Sequence, residues 1–325
     1  MRNGSIVNEF ILLGFSVPHW SRLPLSFCFM LLYAFIICGN VLIIILVKTE
    51  AKLHTPMYFF IANFSFLELW YTTVTVPRTI RDLIVDDTSM LFISCIFQFY
   101  FVMVCGGNEH CLLAVLSYDR FIAICHPLHY STLMRPRTCV QLIGGAWIIS
   151  FAVPASTAFA LFKARYCDDS IDHFFCDISP LLQIVCRESA KAGIVFYMLA
   201  AVIILSCFFM ICLSYSFIVY TVLSIKSHEG RQQAFTTCAS HITVVLIFYS
   251  SCIFMYIRPS AHKTFHGDKF VSLVYTLVAP LLNPMIYTFR NRAMKAAIRK
   301  KFNIQTKLIL MVRNIRGFTG RTLTI

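Results

Sequence analysis

A neighbouring acid and base, Asp119 and Arg120, stand near the end of a long apolar segment of this sequence. Charges beside hydrocarbon are costly unless they are partnered, and a carboxylate can hold a guanidinium in strong charge-assisted hydrogen bonds. Two further carboxylates, Glu68 and Glu109, lie inside apolar segments. Glu109 precedes Arg120 by eleven residues, so a helix would place it about 16 Å further along its axis. These residues predict a polar path inside an apolar bundle; snorkelling of Arg120 to a membrane surface is the alternative.

The sequence also lacks several kinds of catalytic pattern. It contains no metal-spaced His cluster, no nucleophile elbow and no phosphate-binding Gly loop, so we expect no enzyme, no catalytic residue and no dedicated metal site. A soft-metal or thiol-binding site at Cys105, Cys111 or His110 stays open as an alternative.

Long apolar segments must position these groups. The chain of 325 residues is 58% hydrophobic and 13% charged, whereas soluble domains average about 45–50% and 25%. Several segments exceed the roughly 20 residues that cross the hydrocarbon layer of a bilayer as a helix. The predicted fold is therefore an all-α bundle of seven membrane-spanning helices, at about 25–47, 57–80, 94–122, 140–162, 194–223, 234–257 and 269–289.

The distribution of Lys and Arg predicts the orientation of the chain. The loops after the first, third and fifth segments, and the chain after the seventh, are basic and are therefore expected to be cytoplasmic. This orientation gives an extracellular N-terminus at 1–24, a domain of seven membrane spans at 25–289 and a cytoplasmic tail at 290–325, in the plasma membrane. Asn3 begins an Asn-x-Ser glycosylation acceptor, which agrees with an N-terminus outside.

Basic residues follow the seventh segment at regular spacing. Residues 291–301 predict a short amphipathic eighth helix on the inner leaflet. The formal net charge of +13 is explained by such membrane-facing segments, and no basic cluster in a soluble domain favours nucleic acid as a partner.

Four of the 14 cysteines lie on the predicted outer side: Cys95, Cys167, Cys176 and Cys186. Four cysteines in an oxidising compartment predict two disulfides with three possible connectivities.

A series of motifs runs along the chain in a fixed order. They are Gly39-Asn40, Leu53–Phe60, Leu116–Tyr130, Ser214-Tyr215, Ala234–His241 and Pro280–Tyr287. Together they resemble the olfactory receptor family within the rhodopsin-like G-protein-coupled receptors, over residues 8–301. Phe121, Glu68 and Gln233 depart from the family pattern, where Tyr, Asp and Lys are usual.

The resemblance implies a receptor that binds a small, mostly apolar odorant in the outer half of the bundle. It would activate a stimulatory, olfactory-type G protein and raise cyclic AMP. A non-olfactory chemosensory receptor of the same fold is the alternative. A membrane transporter is a more distant one, since the sequence has no internal repeat.

Helix geometry places the first wall of the ligand site. Val102, Met103, Gly106 and Gly107 follow Cys95 by seven to twelve residues, about 10–18 Å below the outer surface, and His110 is expected one turn deeper than the site. The resemblance adds facing walls at Leu199, Ala200, Ile203, Tyr249, Cys252, Ile253, Tyr256 and Thr276. Ordinary packing would explain each of these positions as well. No acid lies in this region of the third segment, so an amine-receptor salt bridge is not expected.

The resemblance also implies roles for the polar residues. Asp119 would hold Arg120 at rest, and Arg120 would move toward other partners on activation, within a switch formed by Asp119, Arg120, Tyr215, Asn283, Pro284 and Tyr287. Asn40, Glu68 and Glu109 would form a polar core that resembles a sodium and water site, with a neutral hydrogen-bonded pair as the alternative. The implied disulfides are Cys95–Cys176 and then Cys167–Cys186.

Overall fold

The computed structural model describes residues 7–15, 17–85, 87–186, 191–225, 227–256, 268–289, 291, 293–301 and 303. Asn3 and the chain after residue 303 lie outside these described residues. Within them, seven long helices pack into one bundle. They are α1 (His19–Thr49), α2 (Pro56–Ile84), α3 (Phe92–Cys125), α4 (Pro136–Lys163), α5 (Lys191–Leu223), α6 (His228–Tyr256) and α7 (residues 268–289).

The helices extend beyond the predicted apolar segments. The largest differences are at α1, which begins at His19 rather than near residue 25, and at α6, which begins at His228 rather than near residue 234. Hydropathy marks only the part of a helix that lies in hydrocarbon, whereas the polar first turns can continue as helix into the head-group layer. The predicted N-terminal segment 1–24 therefore ends in the first turns of α1.

By length and composition, five of the described helices can cross a membrane: His19–Thr49, Phe92–Cys125, Pro136–Lys163, Tyr197–Leu223 and Asp268–Ile286. Polar residues lower the hydropathy of α2, but Glu68 and Thr72 are fully buried and face the interior of the bundle. Among the described side chains of α6, the apolar stretch is His241–Phe254.

The third helix lies at the centre of the bundle. It packs against α2, α4, α5 and α6. In the most apolar 18-residue stretch of α3, 56% of the residues are buried, whereas 17% are buried in the corresponding stretch of α5. Polar side chains on α3 are therefore inside the molecule, whereas most apolar side chains of α5 point outward.

A small three-stranded sheet covers one end of the bundle. Its strands are β1 (Glu9–Leu12), β2 (Ser89–Leu91) and β3 (Ser170–Ile171); β1 lies in the middle, antiparallel to β2 and parallel to β3. Phe10 and Leu12 of β1 point inward and are buried. The sequence did not lead us to expect this sheet.

Two disulfides lie at the same end. The structure joins Cys95 to Cys176 and Cys167 to Cys186, with Cα–Cα distances of 5.5 and 5.2 Å. These are the pairs that the resemblance implies. We call this the disulfide end of the bundle, and the opposite end, which contains Arg120, the arginine end.

The seventh helix is interrupted by a turn of π-helix at Val274–Val278, between Asp268–Leu273 and Ala279–Phe289. Such a turn contains an extra residue and changes which side chains face inward. It lies beside the cavity described below.

A short helix over residues 293–301 follows α7. Its inward residues are Met294 and Ala297, three residues apart, as an amphipathic helix requires. The Lys300 Nζ atom contacts Glu50 Oε2 at 2.8 Å, which fastens this helix to the end of α1.

Candidate functional site

A cavity of about 460 Å³ lies in the half of the bundle nearer the disulfide end. This volume is within the range of roughly 300–1,000 Å³ typical of small-molecule sites. Helices α2 to α7 all contribute to its wall. The lining residues are Tyr71, Val102, Met103, Gly106, Gly107, His110, Ser150, Val153, Pro154, Tyr197, Met198, Ala200, Ala201, Ile203, Ile204, Leu205, Phe248, Cys252 and Tyr275.

Seven of the residues predicted for the ligand site line this cavity. They are Val102, Met103, Gly106, Gly107, Ala200, Ile203 and Cys252. The four from α3 follow from helix geometry alone, because α3 is central and the glycines leave space where side chains would otherwise stand.

Four other predicted residues do not line the cavity. Leu199 and Ile253 are 40% and 43% exposed and lie on outer faces of α5 and α6, so their predicted inward position is wrong. Tyr249 is buried, but Phe248 takes the lining position. Thr276 is buried and donates to the Ser272 backbone carbonyl at 2.7 Å, because the π turn of α7 presents Tyr275 to the cavity instead.

The side chain of Tyr256, also predicted for the site, is outside the described part of the structure. His110, expected one turn deeper than the site, lines the cavity directly, whereas Cys105 and Cys111 do not belong to its lining.

The wall formed by α4 was missed altogether. Ser150, Val153 and Pro154 line the cavity, yet nothing in the sequence separates them from the lipid-facing residues of the same helix. The one usable signal is Pro154, which lies inside a helix although proline removes a backbone hydrogen bond there.

A loop packs against α3 and α7 at the disulfide end of the bundle. Its backbone N–H at Cys176 donates to Gln98 Oε1 at 3.0 Å, and Gln98 Nε2 in turn donates to the Val74 carbonyl at 2.9 Å. His173 Nε2 contacts Ser272 Oγ at 3.1 Å. We call residues 172–176 the lid, since the Cys95–Cys176 disulfide and these bonds tie it to α3 and α7.

Two buried ionisable groups lie in the lid or directly after it, His173 and Asp177. Burial lowers the pKa of His173 to about 3, and the nearby Lys269 ammonium acts in the same direction. Lys269 is itself held by Asp172 Oδ1 at 2.5 Å and by the Gly14 carbonyl at 2.6 Å. Burial raises the pKa of Asp177 to about 6, although the Ile178 N–H opposes this shift.

Deeper in the bundle, the predicted polar core is present between α1, α2, α3 and α7. Asn283 Nδ2 donates to Glu68 Oε1, and Asn40 Nδ2 donates to the Ile36 carbonyl at 3.0 Å. Within the described residues, the other Glu68 oxygen, both Glu109 oxygens and Asn40 Oδ1 are buried without a hydrogen-bond partner. A cluster of unpaired oxygens suits a proton or a hard cation.

Across the ranges that the structure describes, no three His, Cys, Asp or Glu side chains are grouped so that they could hold a metal ion.

At the arginine end, Arg120 is held by its neighbour. Its guanidinium donates to Asp119 Oδ2, through Nε at 3.1 Å and also through Nη2. Asp119 is fully buried, and its second oxygen accepts from the Tyr130 hydroxyl at 2.7 Å. The sequence indicated the pair but not Tyr130, although Tyr130 closes the same motif.

The other switch residues lie on α5 and α7. The Tyr215 hydroxyl shares a hydrogen bond with His241 Nδ1 at 2.7 Å. Pro284 lies against α1, where a Cβ atom built on Gly39 would be 3.3 Å from its ring. Tyr287 belongs to α7, but its side chain is not among those described.

The sequence and the fold were compared with known proteins. The olfactory receptor family matches residues 27–305. Olfactory receptor 226 of Rattus norvegicus is 43% identical over 303 residues, 92% of this chain and 93% of that protein. Olfactory receptor 6B9 of Mus musculus is 41% identical over 301 residues, 92% and 95% of the two chains. Olfactory receptor 6A2 of Homo sapiens is 42% identical over 297 residues, which is 90% of this chain and 91% of that protein.

Among solved structures, squid rhodopsin has the same fold. Its TM-score is 0.66 at 18% sequence identity, over 90% of each chain. Rhodopsin is a bundle of seven membrane-spanning helices, so this likeness supports the predicted fold class. Because the family match spans most of the chain and three relatives exceed 40% identity over at least 90% of it, the chain is a multi-pass membrane protein, not an enzyme, and belongs to the olfactory receptor family.

Proposed function

We propose that this receptor binds a small, mostly apolar odorant in this cavity and responds by activating a stimulatory G protein. The observation that carries the proposal is the cavity itself, because its wall is largely apolar and contains a few hydroxyl groups and one imidazole. Such a wall suits volatile molecules, which have little polar surface.

The proposed orientation places the disulfide end outside the cell and the arginine end in the cytoplasm of a plasma-membrane protein. Disulfides form in oxidising compartments, and the basic loops lie at the arginine end. A tag at the N-terminus should therefore be stained on intact cells, and a glycosidase should shift the mobility of wild-type chain but not of Asn3→Gln.

Signalling would begin from the arrangement of Asp119 and Arg120. Arg120 is now bound by Asp119, which corresponds to the resting state that the family resemblance implies. An odorant that binds better to a second state, in which Arg120 has left Asp119, would shift the population toward that state. The movement of Arg120 would open a crevice at the arginine end, and the G protein would bind there.

The test uses cells with a cyclic AMP reporter, an odorant panel and two cavity variants. Gly106→Leu fills the cavity, whereas Gly145→Leu places the same side chain on α4, where a Cβ atom has nothing within 4 Å. We expect wild type and Gly145→Leu to respond, and Gly106→Leu to lose at least tenfold in potency at equal surface staining. Equal potency of the two variants would place the ligand elsewhere.

We further propose that the polar core holds either a proton or a sodium ion. Glu68, Glu109 and Asn40 supply the unpaired oxygens that would bind it. Resting activity of wild type should fall as sodium replaces choline in the medium if the ion is sodium, and Glu109→Gln should abolish this dependence. If resting activity does not depend on sodium and Glu109→Gln does not change it, the result would favour a neutral hydrogen-bonded pair of Glu68 and Glu109.

A further inference from the structure

The imidazole of His110 has an unusual environment for a buried polar side chain. It is 4% exposed and lines the cavity. Its ring is enclosed by Phe248 and Tyr249, with centroid distances of 4.7 and 4.9 Å. In the described part of the chain, its Nδ1 atom is sealed without a hydrogen-bond partner.

A buried polar group without a partner is destabilising by about 1–3 kcal/mol. Aromatic rings hold the imidazole in place but cannot satisfy its N–H and its lone pair. Because Nδ1 is sealed, a molecule in the cavity cannot reach it, and the ring nitrogen left for a ligand is Nε2, which is not among the sealed atoms. Through Nε2, His110 marks the polar end of the ligand site.

A second polar side chain, Ser150 of α4, lines the same cavity as His110. An ideal Cβ atom on Gly107 would lie 3.9 Å from Ser150 Oγ, and His110 follows Gly107 by three residues, on the same face of α3. The Ser150 hydroxyl already donates to the Ala146 carbonyl at 2.7 Å. Since its proton is used there, the Ser150 oxygen can only accept a hydrogen bond from a ligand, and it also has the neighbouring Cys111 thiol as a partner.

The rest of the wall limits the charge and shape of the ligand. Among the described residues, none that lines the cavity is Asp, Glu, Lys or Arg, so a carboxylate or an ammonium group would be buried without a counter-ion from this wall, which is costly. From His110 to Val102 the cavity follows α3 for eight residues, about 12 Å, past mainly apolar side chains.

We propose that the receptor selects neutral alcohols whose hydroxyl group lies between His110 and Ser150 and whose alkyl chain extends toward Val102. A hydroxyl group can accept from the imidazole and donate to Ser150 at once. An aldehyde or ketone can only accept, and an ether of the same length also lacks the donor. This inference rests on the proposed function, because it concerns the same cavity.

The experiment compares straight-chain 1-alkanols of six to twelve carbons with their methyl ethers and with the corresponding aldehydes, in cells that express wild type, His110→Phe or His110→Gln. His110→Phe keeps an aromatic ring against Phe248 and Tyr249 but removes both nitrogens. His110→Gln keeps a donor and an acceptor. Surface staining is measured for each variant.

For wild type we expect the best alcohol to be at least tenfold more potent than its methyl ether and its aldehyde, which corresponds to about 1.4 kcal/mol. His110→Phe should remove this difference, and His110→Gln should keep part of it. An alcohol preference that is absent in wild type, or unchanged in His110→Phe, would overturn the inference.

The same cell assays distinguish failure of this inference from failure of the proposed function. If another odorant class activates wild type but not Gly106→Leu, the cavity is the ligand site and only the choice of alcohols is wrong. If no compound in a broad panel activates receptor that is present at the surface, the proposed function itself is contradicted.

Discussion

At the scale of single residues, the buried Asp119 carboxylate has two partners, and the sequence revealed one of them. Arg120 is adjacent in the chain, so the motif itself suggested the pair. Tyr130 lies eleven residues further on, beyond the end of α3, and reaches Asp119 because the chain turns back through Pro127–His129. A contact of this kind depends on loop geometry, which hydropathy and helical periodicity do not describe.

Tyr130→Phe should raise the resting activity of the receptor. Burial and the neighbouring Asp119 carboxylate both raise the pKa of Tyr130, so its hydroxyl stays protonated and donates at physiological pH. Loss of one hydrogen bond to a charged group, about 1.5–3 kcal/mol, weakens the anchor of Asp119 in the resting state. Cyclic AMP without odorant should increase severalfold at equal surface staining.

Tyr118→Phe is the matched control, because Tyr118 contacts Phe121 through its ring. Resting activity that is equal in Tyr130→Phe and in the control would mean that the bond to Asp119 does not hold the resting state.

His173 predicts a dependence of lid stability on pH. Its pKa is about 3 in the folded protein and about 6.5 when unfolded. Below pH 6.5 the unfolded chain gains a proton that the folded chain does not, so stability is present above pH 6.5 and is lost as the pH falls toward 3. At pH 5 this loss is about 2 kcal/mol.

The measurement is the melting temperature of purified wild type and His173→Gln between pH 7.5 and pH 5. The advantage of wild type should shrink as the pH falls. Asp177, whose pKa is raised to about 6, titrates in both proteins and therefore cancels in the difference. A constant difference would show that His173 is not buried as a neutral ring.

At the scale of elements, the lengths of the apolar sequence segments predicted all seven helices, because a helix that spans a membrane must be long and apolar. The same reasoning could not predict β1, since four residues are too few for a periodic pattern and its pairing with β2 and β3 depends on distant loops. It also missed the π turn in α7, which moved the lining position from Thr276 to Tyr275. Outer and inner faces of α5 and α6 were confused at Leu199 and Ile253 because both faces are apolar.

The close approach of α1 and α7 gives a prediction at this scale. A Cβ atom on Gly39 would lie 3.3 Å from Cβ and Cγ of Pro284, so Gly39→Val should force the helices apart and lower stability by roughly 1–3 kcal/mol. Gly144→Val is the control, since nothing lies within 4 Å of its Cβ position. We expect Gly39→Val alone to lower the melting temperature; equal values for both variants would mean that the helices do not touch here.

At the scale of the whole molecule, one central helix connects the two ends. Along α3, Val102 and His110 face the cavity, Glu109 belongs to the polar core, and Asp119 and Arg120 form the anchored pair. The order of these sites along the helix was readable from the sequence. The wall formed by α4 and the sheet at the disulfide end were not, because they arise from contacts between elements far apart in the chain.

The most direct test of this account is a structure of the receptor bound to an activating odorant and a stimulatory G protein. We predict odorant density against His110, Gly106 and Ile203, with Arg120 released from Asp119 and directed toward the G protein. Odorant density outside the cavity, or an Asp119–Arg120 pair that is unchanged in the signalling complex, would contradict the account.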